Sequence, residues 1–166
     1  GAGGVFVQGG TLGNLSALVV ARDVAERKHG HKTWAIICSS EAHSSIKAVA
    51  KVMGVEVVKA DAAATGSLNG QQAKQAVLQA IDSGLTPFAI VGTGGTTNFG
   101  IIDQLGDLAA VAKEFDLWFH VDGAYGLAGI LVEELKPKYA GLEQADSFIV
   151  DPHKWLFSPF DACALV

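Results

Sequence analysis

Residues 117–126, LWFHVDGAYG, contain a short apolar run that ends in a carboxylate. Leu117 to Val121 have the length and composition of a buried β-strand, interrupted by a single histidine. Asp122 follows at once, and the small residues after it leave room for a flat group to approach. A buried carboxylate is unfavourable unless a cation or hydrogen-bond donors meet it. Two interpretations therefore stay open: Asp122 pairs with a cationic ligand, or it caps the next turn.

Helical and strand-like patterns alternate on both sides of this segment. Further apolar runs predict strands at 33–38, 55–58, 88–91 and 148–150, with a last one at 162–166. Apolar residues at helical spacing predict helices at 14–28, 46–53, 73–81 and 103–115. Strands that alternate with helices indicate βαβ units, hence an α/β fold with a mainly parallel sheet and helices on both faces. We expect one domain over residues 1–166.

Polar residues at the predicted helix starts are candidate N-caps, because their side chains can accept a hydrogen bond from the first free N–H groups. Thr11 or Asn14 would cap the first helix, Ser44 or Ser45 the second, and Asp103 the fourth. Gly54 is expected to end the second helix.

Composition and charge exclude several classes of function. The chain has 166 residues and a net charge of −5, with no cluster of Lys and Arg, which argues against nucleic-acid binding. The apolar runs have the length of strands, so we expect no membrane span. Cys38 and Cys163 lie far apart and match no metal or redox spacing, which fits free thiols in a cytoplasmic protein. Because the chain starts at Gly1 and ends within an apolar run, we expect a piece of a longer protein.

Polar residues follow several of the predicted strands. His43 comes after the first, Thr93 after the third, Asp122 after the fourth, and Lys154 shortly after the fifth. In open α/β sheets, ligands bind beyond the carboxyl ends of the strands. The sequence therefore predicts one binding site at this edge of the sheet.

Two glycine-rich stretches are candidate ligand loops. Residues 8–14, QGGTLGN, lead into the first helix and could bind a phosphate through backbone N–H groups; the alternative is a simple tight turn, and the motif by itself is weak. The stretch has no Lys of a nucleoside-triphosphate loop. In residues 92–97, GTGGTT, Thr97 replaces the last glycine of a dinucleotide fingerprint, so a structural loop with Thr93 as a polar contact is expected.

The strongest single signal is residues 146–155, DSFIVDPHKW, where Lys154 follows a buried strand between His153 and Trp155. Desolvation and a nearby cation would favour the neutral amine, which is nucleophilic toward carbonyl groups. The alternative is a lysine whose amine reaches solvent from the rim. His43 could stack on a flat ring and move protons, although a lone histidine is usually structural.

Taken together, GGTLGN (9–14), AHSS (42–45), HVDGAY (120–125) and DPHKWL (151–156) resemble the group II pyridoxal-phosphate decarboxylases in order and spacing. The resemblance extends over nearly the whole chain. It implies the large, cofactor-binding domain of a fold-type-I pyridoxal-phosphate enzyme. An N-terminal segment and a C-terminal small domain would then lie outside these residues, so that the fold is incomplete.

The resemblance also implies roles for individual residues. Lys154 would form a Schiff base with the aldehyde of pyridoxal 5'-phosphate, and Asp122 would pair with the ring nitrogen. The remaining implied contacts are His43 and Ala124 on the two ring faces, Gly10, Thr11 and Leu12 at the phosphate with His153 nearby, and Thr93 beside the cofactor. The implied reaction releases carbon dioxide from an amino-acid substrate, with Lys154, His43 and Asp122 as catalytic residues in a cytoplasmic homodimer.

Some residues depart from the family pattern. Leu12 and Gly13 stand where many relatives have Glu-Ala, and Asp151 stands where animal aromatic decarboxylases usually have Asn. Trp155 and Leu156 favour the aromatic-type branch. Two alternatives stay open: another fold-type-I reaction, such as that of an aminotransferase or aldehyde-lyase, and a non-catalytic scaffold.

Overall fold

The computed structural model describes residues 2–62 and 64–166, in which strands and helices alternate. The elements are β1 Val5–Val7, α1 Gly9–His29, β2 Trp34–Ser39, α2 Ser44–Met53, β3 Glu56–Ala60, α3 Gly70–Asp82, β4 Thr86–Thr93, α4 Leu105–Phe115, β5 Trp118–Asp122, β6 Ser147–Val150 and β7 Cys163–Leu165. Three short 3-10 segments, Leu127–Leu131, Lys136–Tyr139 and Leu142–Gln144, connect β5 to β6.

All of these strands belong to one sheet, in the order β1-β7-β6-β5-β4-β2-β3. The neighbours from β3 to β6 are parallel, whereas β7 runs antiparallel to both β6 and β1. The predicted α/β class with a mainly parallel sheet is therefore confirmed. Strand β1 was not predicted, because its apolar run of three residues is shorter than the roughly four residues that predict a strand.

Helices cover both faces of the sheet, as the sequence predicted. Adjacent residues of β2 illustrate this arrangement: Ile36 packs in the cluster that includes Leu18 of α1, and Ile37 packs in the cluster that includes Val77 of α3. Helix α2 shares the face of α1, and α4 shares the face of α3. Because both faces are covered, the central strands are mostly apolar instead of alternating with polar residues, and His120 of β5 is an exception.

Helix α1 begins at Gly9, earlier than predicted. Its N-cap residue is Gln8, whose side chain makes no capping hydrogen bond. Thr11 and Asn14 therefore do not cap it. Gly9 has φ +79°, a left-handed conformation that favours glycine and turns the chain from β1 into the helix. This places Asn14 inside the helix, where its amide is free to bond across to the sheet.

Helix α2 begins at Ser44, and its N-cap is His43, whose ring Nδ1 accepts a hydrogen bond from the Ser45 backbone N–H. The prediction that Ser44 or Ser45 caps this helix was wrong. Gly54, in a left-handed conformation, ends the helix as predicted.

Asp103 does not cap α4, whose N-cap is Gln104. Its carboxylate is buried and accepts two backbone hydrogen bonds of 2.7 Å, from the Leu68 N–H and the Thr93 N–H. Burial raises the pKa of Asp103 from 3.8 to about 6, against the opposite effect of these two bonds. Asp103 therefore ties the end of β4 to the segment before α3.

Asp103 should make the stability depend on pH. Because the pKa is higher in the folded than in the unfolded state, its contribution is complete below about pH 4 and is lost as the pH rises through about 6. The loss amounts to up to about 3 kcal/mol. Urea unfolding of the Asp103→Asn variant should lack this part of the slope between pH 4 and 7. Asp107→Asn, which removes an exposed carboxylate nearby, should keep it. Equal slopes in both variants would contradict the assignment.

Candidate functional site

The carboxyl ends of the central strands and the start of α1 enclose a cavity of about 390 Å³. Residues from widely separated parts of the chain line it, as the sequence predicted for this edge of the sheet. The predicted site residues among them are Gly10, Thr11, His43, Thr93, Asp122, Ala124 and Lys154. Asn14, Ser45 and Tyr125 also line the cavity but had not been assigned to the site.

Two residues that the resemblance placed near the phosphate do not line this cavity. In a helix whose N-cap is Gln8, the first intrahelical hydrogen bond is donated by the residue four positions later, which is Leu12. Its N–H is therefore engaged. His153 packs its ring edge-on against Phe160, and its Nδ1 lies 2.7 Å from the Ala162 carbonyl oxygen. The free N–H groups at this helix end belong to Gly9, Gly10 and Thr11.

Lys154 is held at the cavity by an ion pair. Its Nζ lies 2.9 Å from Oδ2 of Asp151, a buried carboxylate whose other oxygen, Oδ1, has no hydrogen-bond partner. The nearest charged group is thus an anion, whereas the sequence had suggested a cation. The lysine side chain is 35% exposed, so the amine remains accessible from the cavity.

Asp122 reaches the cavity at the end of β5 and is otherwise buried. Its Oδ2 accepts a hydrogen bond of 2.9 Å from Asn14 Nδ2, and its Oδ1 accepts one of 3.1 Å from the Ala124 N–H. These donors stabilise the charge and hold the carboxylate in one orientation. The structure confirms that Asp122 caps the following turn. Asp122 also lines the cavity, where its pairing with a cationic ligand stays a prediction.

Behind Asp122 lies a histidine that sequence reasoning passed over. His120 is fully buried, and its ring bonds to Asn14 Oδ1 at 2.9 Å and to Ser147 Oγ at 2.8 Å. Burial lowers its pKa to about 4, although the Asp122 charge acts in the opposite direction. A histidine inside an apolar strand must find hydrogen-bond partners. That requirement was the available signal.

The cavity wall has the features that pyridoxal phosphate would need. Thr93 Oγ1 is buried at the cavity without a hydrogen-bond partner. At Gly10, a Cβ would lie 2.9 Å from the Ala124 Cβ, so only glycine lets the helix start approach the wall this closely. Free N–H groups for an anion, a buried carboxylate for a ring cation and an amine for an aldehyde line the same cavity. The residues present therefore fit this cofactor.

The departure at Gly13 has a packing explanation. A Cβ at this position would lie 2.9 Å from Cys163 Sγ and 2.9 Å from Ile149 Cγ2. Helix α1 thus approaches β6 and β7 too closely for an alanine unless these neighbours shift.

Two further features, a metal-binding cluster and a membrane-spanning helix, can be assessed over residues 2–62 and 64–166. No group of three or more His, Cys, Asp or Glu side chains is arranged to hold a metal ion in this part of the chain. Among the helices described there, none is both long enough and apolar enough to cross a membrane.

Comparison with known proteins identifies relatives of the whole chain. Residues 1–166 match the family model described as the pyridoxal-dependent decarboxylase conserved domain. The aromatic-L-amino-acid decarboxylase of Bacillus atrophaeus is 34% identical, over 98% of this chain and 35% of its own length. This chain therefore spans about a third of that relative.

Solved structures agree with this similarity. The glutamate decarboxylase domain of a Vibrio parahaemolyticus diaminobutyrate-pyruvate transaminase and L-2,4-diaminobutyrate decarboxylase superposes with a TM-score of 0.90 at 38% identity, covering 98% of this chain and 39% of that one. The Oryza sativa TDC structure with PLP and tryptamine has a TM-score of 0.91 at 29% identity, with 99% and 37% coverage. The implied fold-type-I architecture is thereby confirmed.

Proposed function

The chain belongs to the pyridoxal-dependent decarboxylase family, and on this premise we propose that the protein binds pyridoxal 5'-phosphate in the cavity described above and decarboxylates an amino acid. The products are the corresponding amine and carbon dioxide. The observation that carries the proposal is that Lys154, Asp122 and the free N–H groups of α1 meet at one cavity. Each of them matches a different chemical group of the cofactor.

Pyridoxal phosphate supplies an aldehyde that bonds to amines and a ring that accepts the electron pair left by the departing carboxylate. We assign Lys154 as the amine that would condense with this aldehyde, with loss of water. A charged amine must first lose a proton, and Asp151 Oδ2, at 2.9 Å, is within hydrogen-bonding distance to take it. The same ion pair also positions the lysine amine at the cavity.

Asp122 is the group that pairs with the ring nitrogen in this proposal. Each of its oxygens accepts one hydrogen bond from the protein and keeps capacity for another partner at the cavity. A fixed carboxylate beside the nitrogen keeps that nitrogen protonated, which strengthens the ring as an electron acceptor.

The other lining residues hold the cofactor in place. The N–H groups of Gly10 and Thr11, at the positive end of α1, bind the phosphate. His43 and Ala124 flank the ring, and the Thr93 hydroxyl bonds to a polar group of the cofactor. We assign no direct contact to Leu12 or His153, since neither lines the cavity.

An L-amino acid is the proposed substrate, and the residues described do not select its side chain. The same lysine, carboxylate and phosphate site also serve aminotransferases and aldehyde-lyases. The decarboxylase assignment rests on the names of the relatives, including the aromatic-L-amino-acid decarboxylase. A non-catalytic scaffold would not need an accessible amine at the cavity.

We further propose a cytoplasmic homodimer. Phe99, Phe157 and Phe160 are each more than three-quarters exposed, and burial of such large apolar side chains against a second copy of the chain is favourable. Two free, buried cysteines suit a reducing compartment such as the cytoplasm.

Sedimentation of the full-length protein should give twice the monomer mass, and cell fractionation should recover the protein with cytoplasmic markers. A monomer at micromolar concentration would contradict the dimer.

The reaction is tested with the full-length protein, pyridoxal phosphate and a panel of aromatic, acidic and basic amino acids. We expect carbon dioxide and amine in equal amounts, without keto acid. Lys154→Ala should lose the visible absorbance of the bound cofactor and at least about a thousandfold in turnover, because the covalent contact is gone. Lys138→Ala, at an exposed lysine outside the cavity lining, is the control. Keto acid without carbon dioxide would favour an aminotransferase, and retained absorbance in Lys154→Ala would refute the lysine assignment.

Asp122→Asn tests the electrostatic role of the carboxylate. Turnover should fall about a hundred- to a thousandfold, the effect of removing one preorganised charge interaction. Cofactor affinity, measured by fluorescence titration, should change by less than about tenfold, because the phosphate contacts remain. The matched control is Asp146→Asn. Asp146 accepts a hydrogen bond from the Phe119 N–H of β5, the strand that also carries Asp122, but it does not line the cavity. Near-normal turnover in Asp122→Asn would contradict this role.

A further inference from the structure

We propose that Asn14 is a positioning residue that orients the Asp122 carboxylate and selects the protonated ring nitrogen of His43 through one directed chain of hydrogen bonds. Asn14 is buried, and its Nδ2 donates both to Asp122 Oδ2 at 2.9 Å and to Ser45 Oγ at 3.1 Å. The importance of this chain for catalysis rests on the function proposed above. Its existence and direction do not.

The direction of the chain is set first at its far end. The Trp118 indole N–H, which can only donate, bonds to Ser147 Oγ at 2.9 Å. The hydroxyl hydrogen of Ser147 is then available for His120 Nδ1, 2.8 Å away. With Nδ1 as the acceptor, the neutral His120 ring carries its hydrogen on Nε2 and donates it to Asn14 Oδ1 at 2.9 Å.

The buried charge enforces the same direction from the other end. If the Asn14 amide were turned round, its carbonyl oxygen would face Asp122 Oδ2 at hydrogen-bond distance with no hydrogen between them. Its NH₂ group would then face His120 Nε2. Because two oxygens in contact in a buried site repel each other, this orientation is unfavourable. The tryptophan and the carboxylate thus favour one arrangement of the amide.

The second branch leads to His43. Ser45 Oγ accepts from Asn14, which leaves its own hydrogen for His43 Nδ1 at 2.9 Å. The Ser45 backbone N–H also donates to that nitrogen, at 3.2 Å. A nitrogen that accepts two hydrogen bonds carries no proton, so the neutral His43 ring holds its hydrogen on Nε2.

One buried amide therefore controls two groups of the cavity. Asp122 and His43 belong to different elements, β5 and the cap of α2, and Asn14 links them from α1. In the proposed enzyme both groups contact the cofactor ring. A change at Asn14 would therefore affect Asp122, which pairs with the ring nitrogen, and the His43 imidazole, which lies on a ring face, at the same time. Ser45 transmits only the effect on the imidazole.

The test measures ring-nitrogen chemical shifts of ¹⁵N-labelled histidine in the full-length, cofactor-free protein. In the unaltered protein, His43 and His120 should both carry the hydrogen of the neutral ring on Nε2. Ser45→Ala should shift the His43 tautomer ratio about fivefold toward Nδ1–H, as expected for one lost hydrogen bond, and leave His120 unchanged.

Asn14→Asp retains the size of the side chain but replaces the NH₂ group by a carboxyl oxygen, so that this group and Asp122 share one proton and Ser45 Oγ loses its donor. It should shift the His43 tautomer in the same direction, because the Ser45 hydroxyl turns to the new carboxylate. It should also change the His120 signals, because that ring now donates to a charged acceptor. The control is Asn69→Asp at the N-cap of α3, where Asp accepts the Gln72 N–H as well as Asn does.

A kinetic measurement separates positioning from simple loss of structure. With pyridoxal phosphate bound, Asn14→Asp should lower kcat about ten- to a hundredfold, as expected for one lost bond to a charged group, with KM within about threefold. Ser45→Ala should show a smaller fall in kcat.

A hydrogen on Nδ1 of His43 in the unaltered protein would overturn the proposal. Unchanged His43 signals in both variants would do the same. If the protein releases no carbon dioxide but the tautomers behave as described, the proposed function fails and the chain of hydrogen bonds stands.

Discussion

The hydrogen bond from Asn14 to Asp122 joins the first helix to the central strand of the site, and the cavity depends on it. A carboxylate at the end of a buried strand is stable only if fixed donors replace water. Asn14 supplies one donor and the Ala124 N–H the other. Because Asn14 sits one turn inside α1, the same contact fixes the start of that helix beside the carboxylate. The free N–H groups at the start of α1 and the Asp122 carboxylate thus line the same cavity.

Close packing makes this arrangement possible. Gly10 lets α1 approach Ala124, in the turn after β5, and Gly13 lets it approach Cys163 of β7; at each glycine an added Cβ would lie 2.9 Å from a neighbouring atom. Parallel strands then bring their carboxyl ends, and the residues that follow them, to the same edge. The chemistry of the site depends on a helix and a sheet that pack closely, and loop residues complete it.

Much of the site was predictable because its residues follow strands. The apolar runs before His43, Thr93, Asp122 and Lys154 placed all four at one edge of the sheet, and all four line the cavity. The helix starts were harder to predict. Asn14 and Asp103 have the chemistry of N-caps, but their side chains bond to distant parts of the chain. Residue type alone does not distinguish a local hydrogen bond from a distant one.

The sequence by itself determined the fold class, the alternation of strands and helices in a mainly parallel sheet, and the edge at which the site forms. It could do so because hydrophobic periodicity is local along the chain. Only the tertiary structure decided that β7 runs antiparallel beside β1, that Asp151 holds Lys154, and that His120 and Asn14 support Asp122. These features join residues far apart in sequence or depend on the conformation of a turn. Their energies come from burial and hydrogen-bond direction, which exist only after the chain has packed.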